Sequence, residues 1–236
     1  QISLREATDS LLYSINYVEQ IYNAWSPQRG LLMTADHFAS GYQHNTKEKV
    51  SKLFQVPNTQ LYEERALSPR AHLYPLSQVS AKSNEKHTLV VAPTGAGKTD
   101  FLIRRCQLRI FYTLPFQASI NAMYLRFRKD FSTSDVRRVH AASKVSLEVE
   151  EEMLKYAKEE SEDIDMQHHP GAGIKVMTPH QLSALVFGTP GHESIALDVR
   201  GQDIILDEVH TFSEKSQRMV LEIVRRLLSL DCRVHI

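Results

Sequence analysis

Cysteine is nearly absent from this 236-residue sequence: Cys106 and Cys232 are its only two, too far apart for any CxxC pattern. That excludes a thioredoxin-like pair and a cysteine-built zinc site, and it points to a reducing compartment with both thiols buried. Long apolar runs are missing as well. Nothing approaches the roughly 20 residues of a membrane-spanning helix, and Gln1-Ile2-Ser3 has neither the charged nor the apolar region of a secretion signal. The expectation is a cytoplasmic chain with no membrane partner. Nor does one sign of charge prevail, since 28 basic residues face 28 acidic ones. Any grip on nucleic acid must then come from local placement of charge, not from a net field.

What is present is a globular composition, 42% hydrophobic and 24% charged, which leaves no room for a disordered tail, a collagen-like repeat or a small stapled scaffold. At roughly 100–200 residues per domain, the length holds one full domain and part of a second. The chain opens without Met, so Gln1 is not expected to be a translation start.

Ser3-x-x-Glu6 predicts a capping box, followed by Leu4, Ala7, Leu11, Leu12, Ile15, Val18, Ile21 and Tyr22 at helical spacing until Ser26-Pro27. A second helix is expected from Gly30 to Gly41. Residues 43–73, with Pro57, Asn58 and Pro69, read as a partly helical linker. From Tyr74 strands alternate with helices: strand 87–91, a Gly-rich turn and short helix, strand 110–113, helix 118–129, strand 136–139 and a charged helix 147–160. Strand 174–177, a helix opened by the Thr178-x-x-Gln181 box and ended by Gly188, strand 203–206, a helix capped by Ser213, and a strand from Cys232 complete the series. Such alternation predicts an α/β fold, a parallel sheet with helices on both faces.

Ala92-Pro93-Thr94-Gly95-Ala96-Gly97-Lys98-Thr99 follows the apolar run and opens a helix, the context a phosphate-binding loop requires. Successive backbone N–H groups would cradle phosphates, Lys98 would reach the β and γ oxygens, and the Thr99 hydroxyl would ligate Mg²⁺. Ala92 stands where the strict pattern has Gly. Ile204-Ile205-Leu206 delivers Asp207, Glu208 and His210 to the carboxyl end of a strand, the edge where ligands of open parallel sheets sit. Asp207 would hold Mg²⁺ through its water shell, and Glu208 would orient and deprotonate the attacking water. His210 lacks that reach and would couple nucleotide state to a partner domain or DNA. His168-His169 sits in an acidic loop without a second cluster to complete a metal site. The run Glu148 to Asp165 reads as a solvated helix face, balanced by basic clusters at Arg104-Arg105, Arg126 to Lys129 and Arg137-Arg138.

Asp207-Glu208-Val209-His210 and the Ala92–Thr99 loop resemble the DExH box and motif I of superfamily 2 helicases. Phe111 to Met123 resembles the motif Ia region, and Val176 to Leu182 the Thr-x-x-Gln motif, of the CRISPR-associated helicase-nucleases of type I systems. Gln78, in Tyr74-Pro75-Leu76-Ser77-Gln78, stands where that family has its adenine-reading Gln. Leu31 to Ser40 is similar to the last helix of the HD nuclease domain that precedes the helicase there, which would make Asp36 a metal ligand. The upstream His-Asp motifs are absent, so Asp36 alone holds no metal pair.

The resemblance implies three segments: 1–45, the end of an HD domain; 46–70, a linker; and 71–236, a first RecA-like domain stopping before motif III, with arginine fingers expected from a second domain. It implies ATP and Mg²⁺ as cofactors, a divalent transition metal in the full HD domain, and nucleic-acid contacts at Pro115, Phe116, Gln117, His140, Thr178 and Gln181. Two readings of Thr178 and Gln181 stand side by side, strand contact and helix cap; Phe116 either stacks on a base or packs on the following helix. The implied function is an ATP-dependent single-strand DNA translocase of a prokaryotic CRISPR interference helicase-nuclease, recruited by an RNA-guided surveillance complex to unwind and degrade DNA. Residue spacing alone supports a DExH-type ATPase. A restriction translocase or RNA helicase, and a nucleotide-binding interaction module without turnover, remain as alternatives.

Overall fold

The computed structural model describes residues 3–22, 26–41, 51–139 and 169–236. The expected helix 147–160, the acidic run Glu148 to Asp165, His140 and His168 lie outside them. Two helices come first, α1 (Leu4–Tyr22) and α2 (Pro27–Gly41). The capping box at α1 forms as read: Ser3 N donates to Glu6 Oε2 at 2.8 Å, and Glu6 N donates to Ser3 Oγ at 3.2 Å. α2 starts three residues earlier than expected. Ser26 accepts from Arg29 N at 3.3 Å and Pro27 takes the first helical position, so the pair expected to end one helix opens the next. Gly30 then lies inside α2, where a Cβ would meet Glu193 O at 2.8 Å.

After α3 (Gln60–Ala66) and two short 3₁₀ turns comes the α/β region: α4 (Lys98–Arg105), β1 (Ile110–Thr113), α5 (Gln117–Asp130), β2 (Val136–Arg138) and β3 (Ile174–Met177). α6 (Ala184–Phe187), α7 (His192–Val199), β4 (Asp203–Leu206), α8 (Glu214–Ser229) and β5 (Arg233–His235) follow. The strands form a parallel sheet in the order β2-β3-β1-β4-β5. The period-2 alternation of a strand divides the core. Ile110, Tyr112, Ile174, Val176 and Ile205 face α3, α4 and α5, whereas Phe111, Met177, Ile204, Leu206 and Val234 face α6, α7 and α8. The fold is a parallel sheet flanked by helices on both faces, consistent with a RecA-like nucleotide-binding fold.

Three expectations change. Residues 87–91 are no regular strand: Thr88 makes a single bridge to His235, with Thr88 N donating to Val234 O and Val90 N to Ile236 O, while Leu89 and Val91 stay exposed. The Thr178–Gln181 capping box does not form. Pro179–Leu182 is instead a 3₁₀ turn in which Gln181 N donates to the Thr178 carbonyl, and only after Ser183 does α6 begin, ending at left-handed Gly188. α7, which no strong periodicity announces, packs against α2 through a Thr34–Ser194 hydroxyl contact at 2.9 Å and an Arg29–Glu193 pair at 3.5 Å. The segment 60–66, read as linker, is built into the core. Tyr62 is fully buried and stacks on Phe131, and Arg65 forms a two-pronged pair with Asp130 at 2.6 and 2.9 Å.

Both cysteines are free and buried, as expected; burial pushes the Cys232 thiol up to about 12. Among the described residues no helix is long and apolar enough to cross a membrane.

Candidate functional site

Parallel pairing brings the ends of β1, β3 and β4 to one edge. Asp207 N donates to Thr113 O at 3.1 Å and Leu114 N to Met177 O at 3.0 Å, carrying the ladder into the loops that hold the candidate residues. There a cavity of about 920 Å³ is lined by Thr94, Gly95, Gly97, Lys98, Thr99, Asp207 and Glu208, which the sequence separates by more than a hundred positions. It suits an anionic ligand of nucleotide size.

The loop owes its shape to glycine. Gly95 and Gly97 have φ of +80° and +87°, values that L side chains rarely adopt, and a Cβ at Gly97 would come within 3.2 Å of Tyr74 Cβ. Ala96 is buried: its carbonyl accepts from Leu76 N at 3.0 Å, anchoring the loop to the preceding turn. Lys98 opens α4 and donates to Ala92 O at 3.0 Å, so the ammonium is folded back across the loop. Thr99 follows within the first turn.

Across the cavity, Asp207 Oδ1 accepts from Glu208 N at 2.9 Å and Oδ2 accepts from the Tyr112 hydroxyl at 2.5 Å. Glu208 takes φ of +56°, one of three non-glycine residues in the left-handed region among the described residues. Thr211 holds it there, its N and Oγ1 both donating to Glu208 O at 3.0 and 2.8 Å. His210 Nε2 lies 3.4 Å from Glu208 Oε2. A hydroxyl and a carboxylate facing a Gly-cradled loop make a hard-oxygen donor set that fits Mg²⁺ bound together with phosphates.

Gln78 is exposed and outside the cavity lining; Tyr74 and Ser77 of the same segment stand there instead. Arg65, Arg126 and Lys129 also line the cavity. Arg126 pairs with Asp100, and its Nε lies 3.5 Å from Asp130. Burial raises the Asp130 carboxyl, but hydrogen bonds from Arg65 and Tyr62 outweigh this and hold it below the usual carboxylate range. None of these basic residues carries a local motif; Arg65 comes from the segment read as linker.

Of the expected nucleic-acid residues, Pro115, Phe116 and Gln117 follow β1, with Phe116 56% exposed, and Thr178 follows β3 on the same edge. Gln181 is half-buried and lines a separate cavity of about 40 Å³. Asp36 is exposed on α2, away from any ligand grouping among the described residues. Sequence reading did not anticipate that Cys106, Asp203 and His235 bring potential metal-ligating atoms within 4.8 Å of one another in the interior. Asp203 is already saturated there, accepting from Gln107 N and Leu108 N at 2.7 Å and from Arg233 Nε and His235 Nε2 at 2.8 Å. A cation at that point would meet the Arg233 guanidinium.

Residues 76–235 match the DEAD/DEAH box helicase family. The chain is also similar, at 23% identity over 152 residues, to a CRISPR-associated nuclease/helicase Cas3 of Methanothermobacter thermautotrophicus; the match spans 62% of this chain and 18% of that protein. With the family matched across the whole α/β region and its loops gathered at one sheet edge, the chain belongs to the DEAD/DEAH box helicases, as a superfamily 2 helicase domain distantly related to the CRISPR-associated nuclease/helicases.

Proposed function

We propose that this chain is the ATP-binding motor domain of a helicase that moves along single-stranded DNA. The observation that carries the reading is the convergence of the Gly95–Thr99 loop with Asp207 and Glu208 around one cavity. Lys98, released from the Ala92 carbonyl, reaches the β and γ phosphates; Thr94, Gly95, Ala96 and Gly97 present backbone N–H groups to them. Thr99 and Asp207 would hold Mg²⁺, which when bound neutralises charge developing on the phosphates. Glu208 takes a proton from the attacking water, and His210, whose Nε2 lies 3.4 Å from that carboxylate, would couple nucleotide state to a partner domain or DNA. Pro115, Phe116, Gln117, His140, Thr178 and Gln181 are assigned to the DNA strand, and Tyr74 rather than Gln78 to the face of the base.

The relative's name supports a finer reading, a CRISPR-associated helicase-nuclease; the resemblance of the sequence extends that proposal to a prokaryotic cytoplasm, an RNA-guided complex, and residues 1–45 closing an HD nuclease domain to which Asp36 contributes a metal ligand. Residues 46–70 then join it to the RecA-like domain of 71–236, with 60–66 packed onto that domain's core.

The test is nucleotide binding and hydrolysis. The 236-residue chain binds a fluorescent ATP analogue and Lys98→Ala does not; in the full-length protein, single-stranded DNA stimulates hydrolysis and Glu208→Gln abolishes it while retaining binding. Stimulation by RNA and not DNA would assign a different superfamily 2 motor. Binding without turnover in the full-length protein would make it an interaction module.

A further inference from the structure

Tyr112 belongs to no phosphate-loop or carboxylate motif, and in the central strand β1 it reads as core. The ring is fully buried and packs edge-on against Phe127, centroids 5.2 Å apart at 80°. A buried phenol needs a partner for its hydroxyl, and burying one without it is costly. Here the partner is a side chain assigned to Mg²⁺: the Tyr112 hydroxyl donates to Asp207 Oδ2 at 2.5 Å.

The direction of these bonds matters. An Asp207 carboxylate held at Oδ2 by Tyr112 and at Oδ1 by the Glu208 amide has one orientation instead of several, with a lone pair on each oxygen still available. The strand that supplies Tyr112 lies beside β4 in parallel register, Tyr112 opposite Ile205, so the distance from phenol to Asp207 is fixed by the sheet and not by a loop.

We propose that Tyr112 is a positioning residue for the magnesium site, its hydroxyl fixing the Asp207 carboxylate in one orientation at the cavity before the cation arrives. The proposal rests on the nucleotide-site reading above. Ordering groups in advance removes an entropy cost from binding, and partners that orient metal ligands are worth roughly 10–100-fold in metal affinity.

The experiment compares the 236-residue chain with Tyr112→Phe, which keeps the ring and its packing on Phe127. Binding of a non-hydrolysable fluorescent ATP analogue is measured with EDTA and across a Mg²⁺ titration. The expected result is equal affinity in EDTA and a Mg²⁺ midpoint raised roughly 10–100-fold in the variant. Equal midpoints overturn the proposal; equal loss of affinity with and without Mg²⁺ also overturns it, in favour of a general packing role. Failure of the underlying reading looks different: neither protein binds the analogue under any condition, and the proposal falls with it. A second measurement needs no substitution. With Mn²⁺ and the analogue added to the wild-type chain, the assigned Tyr112 ring resonance is expected to broaden while that of Tyr13, exposed on α1, does not; an unbroadened Tyr112 overturns the proposal independently.

Discussion

Replacing Asp203 by asparagine isolates the buried polar knot at the start of β4. The carboxylate is fully buried and accepts four hydrogen bonds, two at each oxygen: the amides of Gln107 and Leu108 on Oδ2, and Arg233 Nε and His235 Nε2 on Oδ1. Asparagine has almost the same shape but only one acceptor oxygen. Whichever way the amide turns, its NH₂ faces two donors and leaves them without a partner. In either orientation the neutral amide removes the counter-charge of the largely buried Arg233 guanidinium; facing the backbone it also orphans two amide N–H groups, and facing β5 it orphans the Arg233 Nε–H. Hydrogen bonds to charged groups are worth about 1.5–3 kcal/mol each, so losing two costs about 3–6 kcal/mol, in line with breaking a buried ion pair.

That is a large share of the roughly 5–15 kcal/mol by which a domain is stable. In urea, where the dependence for a chain of this size is about 3 kcal/mol per molar, the unfolding midpoint is expected to fall by about 1–2 M. Circular dichroism against urea measures it. Asp203 lies four residues from Asp207 along one strand, about 13 Å away, so nucleotide affinity of the folded variant should stay unchanged. A midpoint shift under about 0.3 M would refute the assignment of the knot as a structural tie.

Acid should unfold the chain through its buried carboxylates. Burial raises Asp130, Asp198 and Asp203, but their bonds to Arg65, Lys175 and Arg109, and His235 with the Gln107 amide outweigh it, so all three lie below the unfolded value near 3.9. The unfolded chain then takes up protons first: stability is complete above about pH 5 and falls as pH drops through 4, which a thermal-midpoint series from pH 7 to 3 checks, a flat profile counting against it. On single-stranded DNA, with strand-end loops and few basic side chains supplying the grip, log affinity against log salt should have a slope no steeper than about −2, corresponding to at most about three phosphate contacts. Fluorescence anisotropy across a salt series measures the slope, and a value near −5 would require a basic groove.

The alternation of strands and helices, the Gly95–Gly97 turn opening α4 and the Asp207–Glu208 strand end were legible because their signals are local: a period of 2 or 3.6, or a spacing within one turn. What escaped depends on partners distant in the chain. Tyr112 looks like any aromatic in a strand until Asp207 is brought beside it. Arg65 has no meaning in a linker until Asp130 is found. Thr178-x-x-Gln181 has the letters of a capping box, yet Pro179 and Leu182 close a 3₁₀ turn, so the side-chain bond is replaced by a backbone one. At Gly30 the reason for the residue is the carbonyl of Glu193, which no window around position 30 contains.

The same distance dependence governs the charge. Arg104-Arg105 and Arg137, read as basic clusters offsetting an acidic face, are buried. Arg104 donates to Val79 O at 2.6 Å; Arg105 donates to Ala81 O and Glu85 O at 2.6 and 2.7 Å, tying the 77–88 segment onto α4; and Arg137 pairs with Asp135. Arg109 and Lys175 share Asp198 at 2.7 Å each, all three buried. Among the described residues five basic side chains are withdrawn from water in this way against three acidic ones, Glu193, Asp198 and Asp203. On the proposed reading, the strand grip would come from backbone amides and hydroxyls at the ends of β1 and β3, where Pro115, Phe116, Gln117 and Thr178 stand on the same sheet edge as Asp207 and Glu208. A change at Asp207 and Glu208 would then reach those loops through adjacent, hydrogen-bonded strands.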